Sequence, residues 1–200
     1  MLTASGKSAA ASSNEPQRST RAFALITQAL AKASLNRTEI DCIAVGLGPG
    51  SYTGIRVAIS IAQGWQLATG VKLLGISSAD AIAERARLDG LTGQVTCVID
   101  AQREEFYLAT YDLQAVPLHP IESLHIETVA QVKQRAARHE LLVGPEEELP
   151  GNQLVFPDAE VLAQMATSRT DFVSGETLEP IYLREISFVK APPPRLAATT

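Results

Sequence analysis

The chain has 200 residues, of which 46% are hydrophobic and 20% are charged, so it can form one domain or two small lobes around a sizeable core. Its net charge of −5 argues against a protein that grips nucleic acid unaided, because binding to a phosphate backbone relies on clustered lysine and arginine. No apolar run approaches the ~20 residues of a membrane helix, so no membrane partner is expected.

The two ends of the chain differ in composition from its middle. Residues 1–18 are rich in serine and alanine, and we expect a disordered tail or the remainder of a truncated start there. Residues 190–200 contain three consecutive prolines and are expected to form a second mobile tail.

The first predicted helix begins at Ser19 or Thr20, either of which can cap it, and ends near Ser34. Apolar residues recur along it at helical spacing, which is typical of a helix that packs on a core or on a partner. The residues that mark its apolar face are Phe23, Ile26 and Leu30.

A glycine-rich corner connects a predicted strand to the second predicted helix. Residues 43–45 are a continuous apolar run, typical of a buried strand, and residues 48–50 read Gly-Pro-Gly and end it. Ser51 or Thr53 can cap the helix that follows, where unpaired backbone N–H groups and the helix dipole favour an anion. The corner lacks the Gly-Lys-Ser/Thr of a phosphate loop, so a turn without a ligand is the alternative interpretation. The candidate anion- or nucleotide-binding residues are Gly48, Gly50, Ser51, Thr53 and Gly54.

The second predicted helix, from Thr53 to Thr69, is apolar on almost every side. Arg56, Ser60 and Gln63 fall at helical spacing and form one narrow polar strip along it. A helix of this kind must be covered on more than one side. We therefore expect its own sheet to cover one side, and the first helix together with a partner chain to cover the other.

The rest of the chain alternates strands with helices, which is typical of an α/β fold. The predicted strands cover residues 71–76, 95–99, 106–111 and 141–143, and the predicted helices cover about 78–88, 128–138 and 158–166. Glycines within residues 88–94 indicate a boundary between two lobes. The predicted organisation is a first lobe of residues 19–90 and a second α/β lobe of residues 91–189.

Three segments resemble motifs of one protein family and occur in the family's order. Residues 48–56 read Gly-Pro-Gly-Ser-Tyr-Thr-Gly-Ile-Arg, residues 98–107 read Val-Ile-Asp-Ala-Gln-Arg-Glu-Glu-Phe-Tyr, and residues 178–184 read Leu-Glu-Pro-Ile-Tyr-Leu-Arg. They resemble the bacterial TsaB family, formerly called YeaZ, the dimerisation subunits of the tRNA threonylcarbamoyladenosine machinery. Gln102 departs from the Asp-Ala-Arg-Arg that is usual in this family.

The resemblance implies an actin-like, hexokinase-like two-lobe α/β fold. Members of the family usually open with a strand ending in Asp-Thr-Ser and two further strands. Residues 1–18 show no such pattern, so the first lobe is expected to lack its leading strands.

The resemblance also implies a non-catalytic role in a complex. The chain would pair with and activate the catalytic TsaD subunit, which, with the ATPase TsaE, moves threonylcarbamoyl onto N6 of the adenosine beside the tRNA anticodon. tRNA would be bound only through the complex, no cofactor is assigned to this chain, and ATP would act at the level of the complex. A homodimer is expected when the partner is absent, and the expected location is the cytoplasm. The expected interface residues are Phe23, Ile26, Leu30, Ile55, Ile59 and Ala62.

No catalytic or metal site is predicted from the residues themselves. His119, His125 and His139 offer no His-x-x-x-His pair, and each is expected to be a surface or loop residue. Asp100 is expected to lie in a solvated turn with Arg103 close enough to pair with it. An ATP-dependent small-molecule kinase of the same fold is the alternative function, and a peptidase is the third.

The chain has two cysteines, Cys42 and Cys97, and both lie in apolar, strand-like runs. Buried thiols in a reducing cytosol are expected rather than a disulfide.

Overall fold

In the computed structural model of the protein, residues 20–183 are described, with side chains from residue 22 onward. This part of the chain is a mixed α/β structure, and both predicted tails, 1–18 and 190–200, lie outside it. The helices are α1 (Thr20–Ala33), α2 (Tyr52–Thr69), α3 (Ser78–Leu88), α4 (Val129–Ala137) and α5 (Ala159–Thr167), with single 3-10 turns at Arg37–Glu39 and Gly175–Thr177. The strands are β1 (Cys42–Gly46), β2 (Lys72–Ile76), β3 (Gln94–Asp100), β4 (Glu105–Asp112), β5 (Pro120–Thr128), β6 (Leu142–Gly144) and β7 (Asn152–Leu154).

The helices begin and end where nearby groups form hydrogen bonds with the backbone N–H or C=O groups that the helix itself leaves unpaired. Ser51 Oγ accepts a hydrogen bond from the Gly54 N–H at 3.3 Å, and Asp158 caps α5 by accepting from the Val161 N–H at 2.9 Å. Gly70 closes α2 at φ 72°, a left-handed conformation that glycine adopts without steric cost. Because these signals are local in sequence, all five predicted helices are confirmed to within one residue at each end.

β1 and β2 form a two-stranded parallel sheet in which Ala44 lies beside Leu74. α2 packs on one face of this sheet and contributes Ile59 and Ala62 to a small buried cluster. The cluster also receives Leu178, from far along the chain, so the last described segment returns to the first sheet. The other buried members of this cluster are Val45, Val71 and Leu73.

The second sheet has five strands in the order β5-β4-β3-β6-β7. β3, β4 and β5 are antiparallel neighbours, whereas β6 runs parallel to β3, and β7 runs parallel to β6. α3 covers one face through Ile82, and α4 covers the other through Val132. The Tyr111 hydroxyl, inside the core, donates to Asp80 of α3 at 2.7 Å. The sheet is therefore buried on both faces in its central part.

Two strands, β5 and β7, were not predicted from the sequence. β7 has three residues, too few to show a pattern. β5 has nine residues but carries two glutamates and a histidine, and its pairing with β4 shifts register between Leu108 and Thr110. Such a bulge breaks the alternation by which a strand is recognised in a sequence.

The two sheets divide along the chain, with β1 and β2 before residue 90 and β3 to β7 after it. The assignment of residues 19–90 and 91–189 to two lobes stays a prediction. In the described range, no helix combines the length and the apolar character that a membrane crossing requires.

Candidate functional site

The glycine corner, residues 48–54, carries the chain from the end of β1 into α2. Gly48 has φ 90°, a left-handed conformation that favours glycine, and a Cβ there would lie 2.6 Å from Ile55 Cδ1, so the Ile55 side chain would have to shift. The Ser78 N–H donates to the Gly48 carbonyl oxygen at 2.8 Å. The corner is therefore tied to the N-terminal ends of two helices, α2 and α3.

Some polar groups of the corner already form hydrogen bonds within the fold. The Ser51 hydroxyl already accepts from the Gly54 N–H as the cap of α2, and Thr53 is exposed in the first turn of that helix. Gly50 and Ser51 also line a cleft. Anion or nucleotide binding by Gly48, Gly50, Ser51, Thr53 and Gly54 stays a prediction.

The cleft beside the corner has a volume of about 520 Å³ and brings together segments that are distant in sequence. One part of its lining is Gly50 and Ser51, and another is Asp100 and Gln102 at the end of β3. Glu146, from the loop after β6, completes this side and accepts a hydrogen bond from the Asp100 N–H at 2.8 Å. Two carboxylates thus face a space that also adjoins the N-terminus of α2.

The hairpin tip that carries part of this lining is held in an unusual conformation. Gln102, Arg103 and Glu104 have φ of 64°, 59° and 62°, so three consecutive residues other than glycine are left-handed. Each such residue costs on the order of 1–2 kcal/mol and persists only where its surroundings hold it. Asp100 supplies one anchor, because its carboxylate accepts from the Gln102 N–H at 2.7 Å and from the Gln102 side-chain amide. The expected pairing of Asp100 with Arg103 is not found among the described ion pairs.

Two exposed tyrosines stand at the mouth of the cleft. The rings of Tyr52 and Tyr182 lie 5.7 Å apart, centroid to centroid, and are tilted by 33°. The Arg56 guanidinium lies over the Tyr52 ring at 5.2 Å and donates to the Tyr52 hydroxyl at 2.8 Å. A hydrogen bond to Tyr182 and the proximity of Tyr52 raise the pKa of Arg56, so this side chain keeps its positive charge beside the two rings.

The six expected interface residues are not all at the surface. Phe23 of α1 is 58% exposed, whereas Ile59 of α2 is 5% exposed and belongs to the core cluster of the first sheet. Leu30 and Ala62 are buried as well, and Ile26 and Ile55 are half-buried. The interface through these residues stays a prediction, and the structure favours Phe23 as the member that a partner can reach.

A histidine and two glutamates cluster on β5, outside the cleft. Ligand atoms of Glu122, His125 and Glu127 all lie within 4.8 Å of one another, and this is the group within residues 20–183 that could hold a metal ion. The carboxylates are already paired, because Arg135 of α4 donates to Glu127 at 2.6 Å and to Glu122 at 2.8 Å. These hydrogen bonds lower the pKa of both glutamates. The arrangement therefore serves first as an ion-pair link between β5 and α4.

The three histidines divide between two environments. His119 and His139 are exposed and lie outside strands and helices, as expected. His125 lies within β5 rather than in a loop, its side chain is 33% exposed, and its Nε2 lies 3.2 Å from Glu127. β5 itself was not predicted, so the sequence offered no reason to bring His125 and Glu127 together.

The cysteines are both free thiols in the structure. Cys97 is fully buried, and its Sγ lies 3.4 Å from the Ala79 carbonyl oxygen. Burial raises the pKa of the Cys97 thiol well above its ordinary range, which makes it a poor nucleophile. Cys42 is half-buried, and desolvation raises the pKa of its thiol as well.

Sequence reasoning missed two cleft residues, Glu146 and Tyr182, as site residues. The motif that ends the family resemblance contains Tyr182, so its presence there was the available signal. Glu146 lies in a run of three glutamates, 146–148, which looks like an ordinary acidic surface loop. Its role becomes visible only when β6 is placed beside β3.

Comparison with known proteins shows extended similarity. A family profile described as "TsaD: tRNA N6-adenosine threonylcarbamoyltransferase" matches residues 15–167. A protein of Escherichia coli strain K12 named "tRNA threonylcarbamoyladenosine biosynthesis protein TsaB" is 31% identical, over 86% of this chain and 83% of its own length. A protein of the same name from Haemophilus influenzae is 28% identical, over 86% of this chain and 82% of its own length.

Solved structures show that the similarity extends to the fold. YeaZ from Pseudomonas aeruginosa superimposes with a TM-score of 0.69 at 29% identity, covering 82% of this chain and 84% of that one. A second structure from the same organism, described as similar to "peptidase YEAZ", also has a TM-score of 0.69, at 28% identity, with 82% and 83% covered. The predicted actin-like α/β fold and the predicted resemblance are confirmed.

Proposed function

This chain belongs to the TsaD-type threonylcarbamoyltransferase family and, within it, to the TsaB (YeaZ) proteins, and from this we propose that it is the non-catalytic subunit of a complex that makes threonylcarbamoyladenosine in tRNA. The observation that carries the proposal is the 31% identity to a curated TsaB over most of both chains. The subunit binds and activates a TsaD-type catalytic partner, and a TsaE-type ATPase completes the assembly. The catalytic partner transfers threonylcarbamoyl to N6 of the adenosine beside the anticodon.

The surface of α1 supports a partner on this side of the molecule. Phe23 is 58% exposed, and the apolar residues Leu25, Ile26 and Ala29 are only half-covered by the described part of the chain. When a second chain covers an apolar helix surface that is exposed to water, the free energy of the system falls, which favours association. The same surface serves a homodimer when the catalytic partner is absent.

The charge of the molecule supports a tRNA contact made by the other subunits. The chain carries 22 acidic and 17 basic residues, and two of the acidic residues, Asp100 and Glu146, lie together in the cleft lining. An acidic surface repels a phosphate backbone. Binding of tRNA only through the complex is consistent with this charge. The two free thiols are consistent with a location in the cytoplasm, where tRNA is found and thiols stay reduced.

The test is co-purification of this chain with the TsaD-type and TsaE-type proteins of its own source, followed by a threonylcarbamoyl transfer assay on tRNA. We expect a stable complex, transfer that depends on this chain, and no transfer by this chain alone. Equal transfer with and without the chain would overturn the proposal, and transfer by the chain alone would overturn its non-catalytic part.

The other two functions considered receive no support from the relatives described above. None of these relatives is named as a kinase, and the peptidase label occurs only in the description of one solved structure. A peptidase assay with casein as the substrate, run on the purified chain beside the transfer assay, distinguishes a peptidase from a non-catalytic subunit.

A further inference from the structure

The cluster of Glu122, His125 and Glu127 on β5 lies outside the cleft, and the proposed function does not use it. His125 and Glu127 are two residues apart in the strand, so their side chains project from the same face. The His125 Nε2 lies 3.2 Å from Glu127 Oε1 and 3.6 Å from Glu122 Oε1. One ring nitrogen and two carboxylate oxygens therefore converge on one space.

The surroundings of His125 determine which of its ring nitrogens carries a proton. Nδ1 lies 2.8 Å from the Ser123 carbonyl oxygen, and because that oxygen can only accept, Nδ1 carries the N–H. In the neutral ring Nε2 then has a lone pair, which faces two ionised carboxylates that can only accept as well. Lone pairs that face one another in this way repel unless a cation lies among them. A metal ion or a second proton on the ring can supply that positive charge.

The distances in the cluster favour a metal ion over a second proton. An N–H that donates from a cation to a carboxylate gives an N···O distance of about 2.7–2.9 Å, shorter than the 3.2 and 3.6 Å found here. Ligand atoms bound to one Zn²⁺ at about 2.0–2.2 Å lie about 3.3–3.6 Å apart in tetrahedral geometry. The third pair of ligand atoms, on Glu122 and Glu127, lies within 4.8 Å, and rotation of the 40%-exposed Glu122 side chain can shorten it.

Arg135 leaves a negative charge for such an ion to balance. Its one guanidinium pairs with three carboxylates, so with a neutral His125 the group has an excess of two negative charges; the three are those of Glu122, Glu127 and Glu140. A divalent cation cancels this excess, and opposite charges attract strongly at such short distances. The carboxylate oxygens that accept from Arg135 keep further lone pairs for an ion. Hydrogen bonds of this kind hold carboxylate ligands in position in metal sites.

We infer that Glu122, His125 and Glu127 bind one divalent transition-metal ion of the Zn²⁺ type, through His125 Nε2 and one oxygen of each glutamate. A set that combines imidazole with carboxylates suits Zn²⁺, whereas Mg²⁺ and Ca²⁺ prefer oxygen ligands alone. The side chains of His125 and Glu122 are partly exposed, so water can reach the ion and complete its coordination. The inference goes beyond the proposed function and is independent of it, because it involves neither α1 nor the cleft.

The test is isothermal titration calorimetry of the full chain, without an affinity tag and stripped of metal by a chelator, with Zn²⁺, Mn²⁺ and Mg²⁺, each alone. We expect saturable binding of one Zn²⁺ per chain, weaker binding of Mn²⁺ and no detectable binding of Mg²⁺ at concentrations that saturate with Zn²⁺. ¹⁵N NMR of the histidine rings identifies the ligand. Zn²⁺ should shift the Nε2 signal of His125 while its Nδ1 stays protonated.

Two variants and two controls locate the ion. His125→Gln removes one ligand and leaves the ion pairs of Arg135 in place, and Glu127→Gln replaces a charged ligand with a neutral amide. Each should weaken Zn²⁺ binding at least tenfold, since even the loss of an outer partner of a metal ligand costs about 10–100-fold. The controls His119→Gln and Cys42→Ser remove an exposed imidazole and a half-buried thiol elsewhere, and should leave the affinity unchanged.

Circular dichroism checks the folding of each variant, and Zn²⁺ should raise the melting temperature of the parent but not that of His125→Gln. The inference is overturned if Zn²⁺ does not saturate, if His125→Gln binds it as tightly as the parent, or if either control abolishes binding. A His125 ring that keeps protons on both nitrogens in the presence of Zn²⁺ would assign the positive charge to a proton and would equally overturn it.

Discussion

At the scale of single residues, two glycines of this chain have opposite structural roles. Gly144, in β6, lies so close to β3 that a Cβ there would be 2.0 Å from the Val98 carbonyl oxygen. Gly64, in α2, is exposed and has no atom within 4 Å of the same position. The first glycine permits a close backbone approach, whereas the second only costs conformational entropy within a helix.

We therefore expect Gly144→Ala to lower the free energy of unfolding by about 2 kcal/mol or more, because backbone atoms must move to make room. Gly64→Ala should raise it by about 0.5–1 kcal/mol, the difference in helix propensity. Urea denaturation followed by circular dichroism measures both. Equal stability of the two variants would contradict the close approach of β3 and β6.

Ile59 is a second residue whose role depends on the structure. It is 5% exposed and packs with Val45 and Leu73, although sequence reasoning placed it at a partner interface. We expect Ile59→Glu to destabilise the isolated chain by about 3 kcal/mol or more, because it buries a carboxylate without a partner.

Its exposed neighbour provides the control, since Ser60→Glu should change stability by no more than about 0.5 kcal/mol. Thermal unfolding of the isolated chain compares the two variants. A folded, parent-like Ile59→Glu protein would show that the residue faces a partner rather than the core.

At the scale of elements, α4 and β5 are joined by one arginine. Arg135 contacts Glu122 and Glu127 of β5 and, at 3.2 Å, Glu140 just beyond α4. The two glutamates of β5 have lowered pKa in the folded protein, chiefly through their hydrogen bonds with Arg135. They contribute stability that is fully present above their ordinary pKa of 4.5 and is lost as the pH falls through the lowered values.

Arg135→Met should lower the free energy of unfolding at pH 7 by about 1–3 kcal/mol, because it leaves neighbouring carboxylates without their donor. The difference between parent and variant should shrink as the pH falls below 4.5, where the carboxylates become protonated. Denaturation curves between pH 7 and pH 3 measure this.

The control for that series is Arg169→Met, which removes a more exposed pair with Asp171, a residue whose side chain is 62% exposed. It should change stability by no more than about 0.5 kcal/mol at pH 7. A constant difference between the Arg135→Met protein and the parent at every pH would indicate lost packing rather than lost charge pairing.

The same elements show which parts of the fold were predictable. The helices α2 to α5 each carry a side-chain cap, and β3 and β4 are mostly apolar, so these elements were predicted close to their observed ends. β5 was not predicted, because a bulge places Glu122, His125 and Glu127 together at spacings of three and two rather than at a period of two.

At the scale of the whole molecule, the exposed apolar side of α1 is the surface at which the proposed function predicts the partner. Phe23 is 58% exposed there, and Phe156, 53% exposed, lies on the chain before α5. We expect Phe23→Asp to weaken binding of the TsaD-type partner at least tenfold. The variant loses the burial of an aromatic ring and places a charge in the interface, which together lower the binding free energy by about 2 kcal/mol or more.

Phe156→Asp is the matched control, since it changes an equally exposed phenylalanine in the same way and should leave capture unchanged. Both variants should fold like the parent. Surface plasmon resonance with the immobilised partner compares them, and equal affinities for the two variants would place the interface away from α1.

The sequence by itself determined the elements that depend on neighbouring residues. Caps such as Ser51 and Asp158, the helix-ending Gly70 and the glycine corner act within a few residues, so their consequences can be derived without knowing what packs against them. The family motifs are equally local, and they were sufficient to identify the fold.

Only the tertiary structure decided what the elements do together. Asp100, Glu146 and Tyr182 lie far apart in the sequence, and they meet in one cleft because β6 pairs with β3 and because Ile181, after the last 3-10 turn, hydrogen-bonds to Leu47 at the end of β1. Which side of α2 faces the core was likewise determined by the packing of this helix on β1 and β2. Contacts of this range follow from which surfaces bury each other, and that is a property of the assembled chain rather than of any one segment.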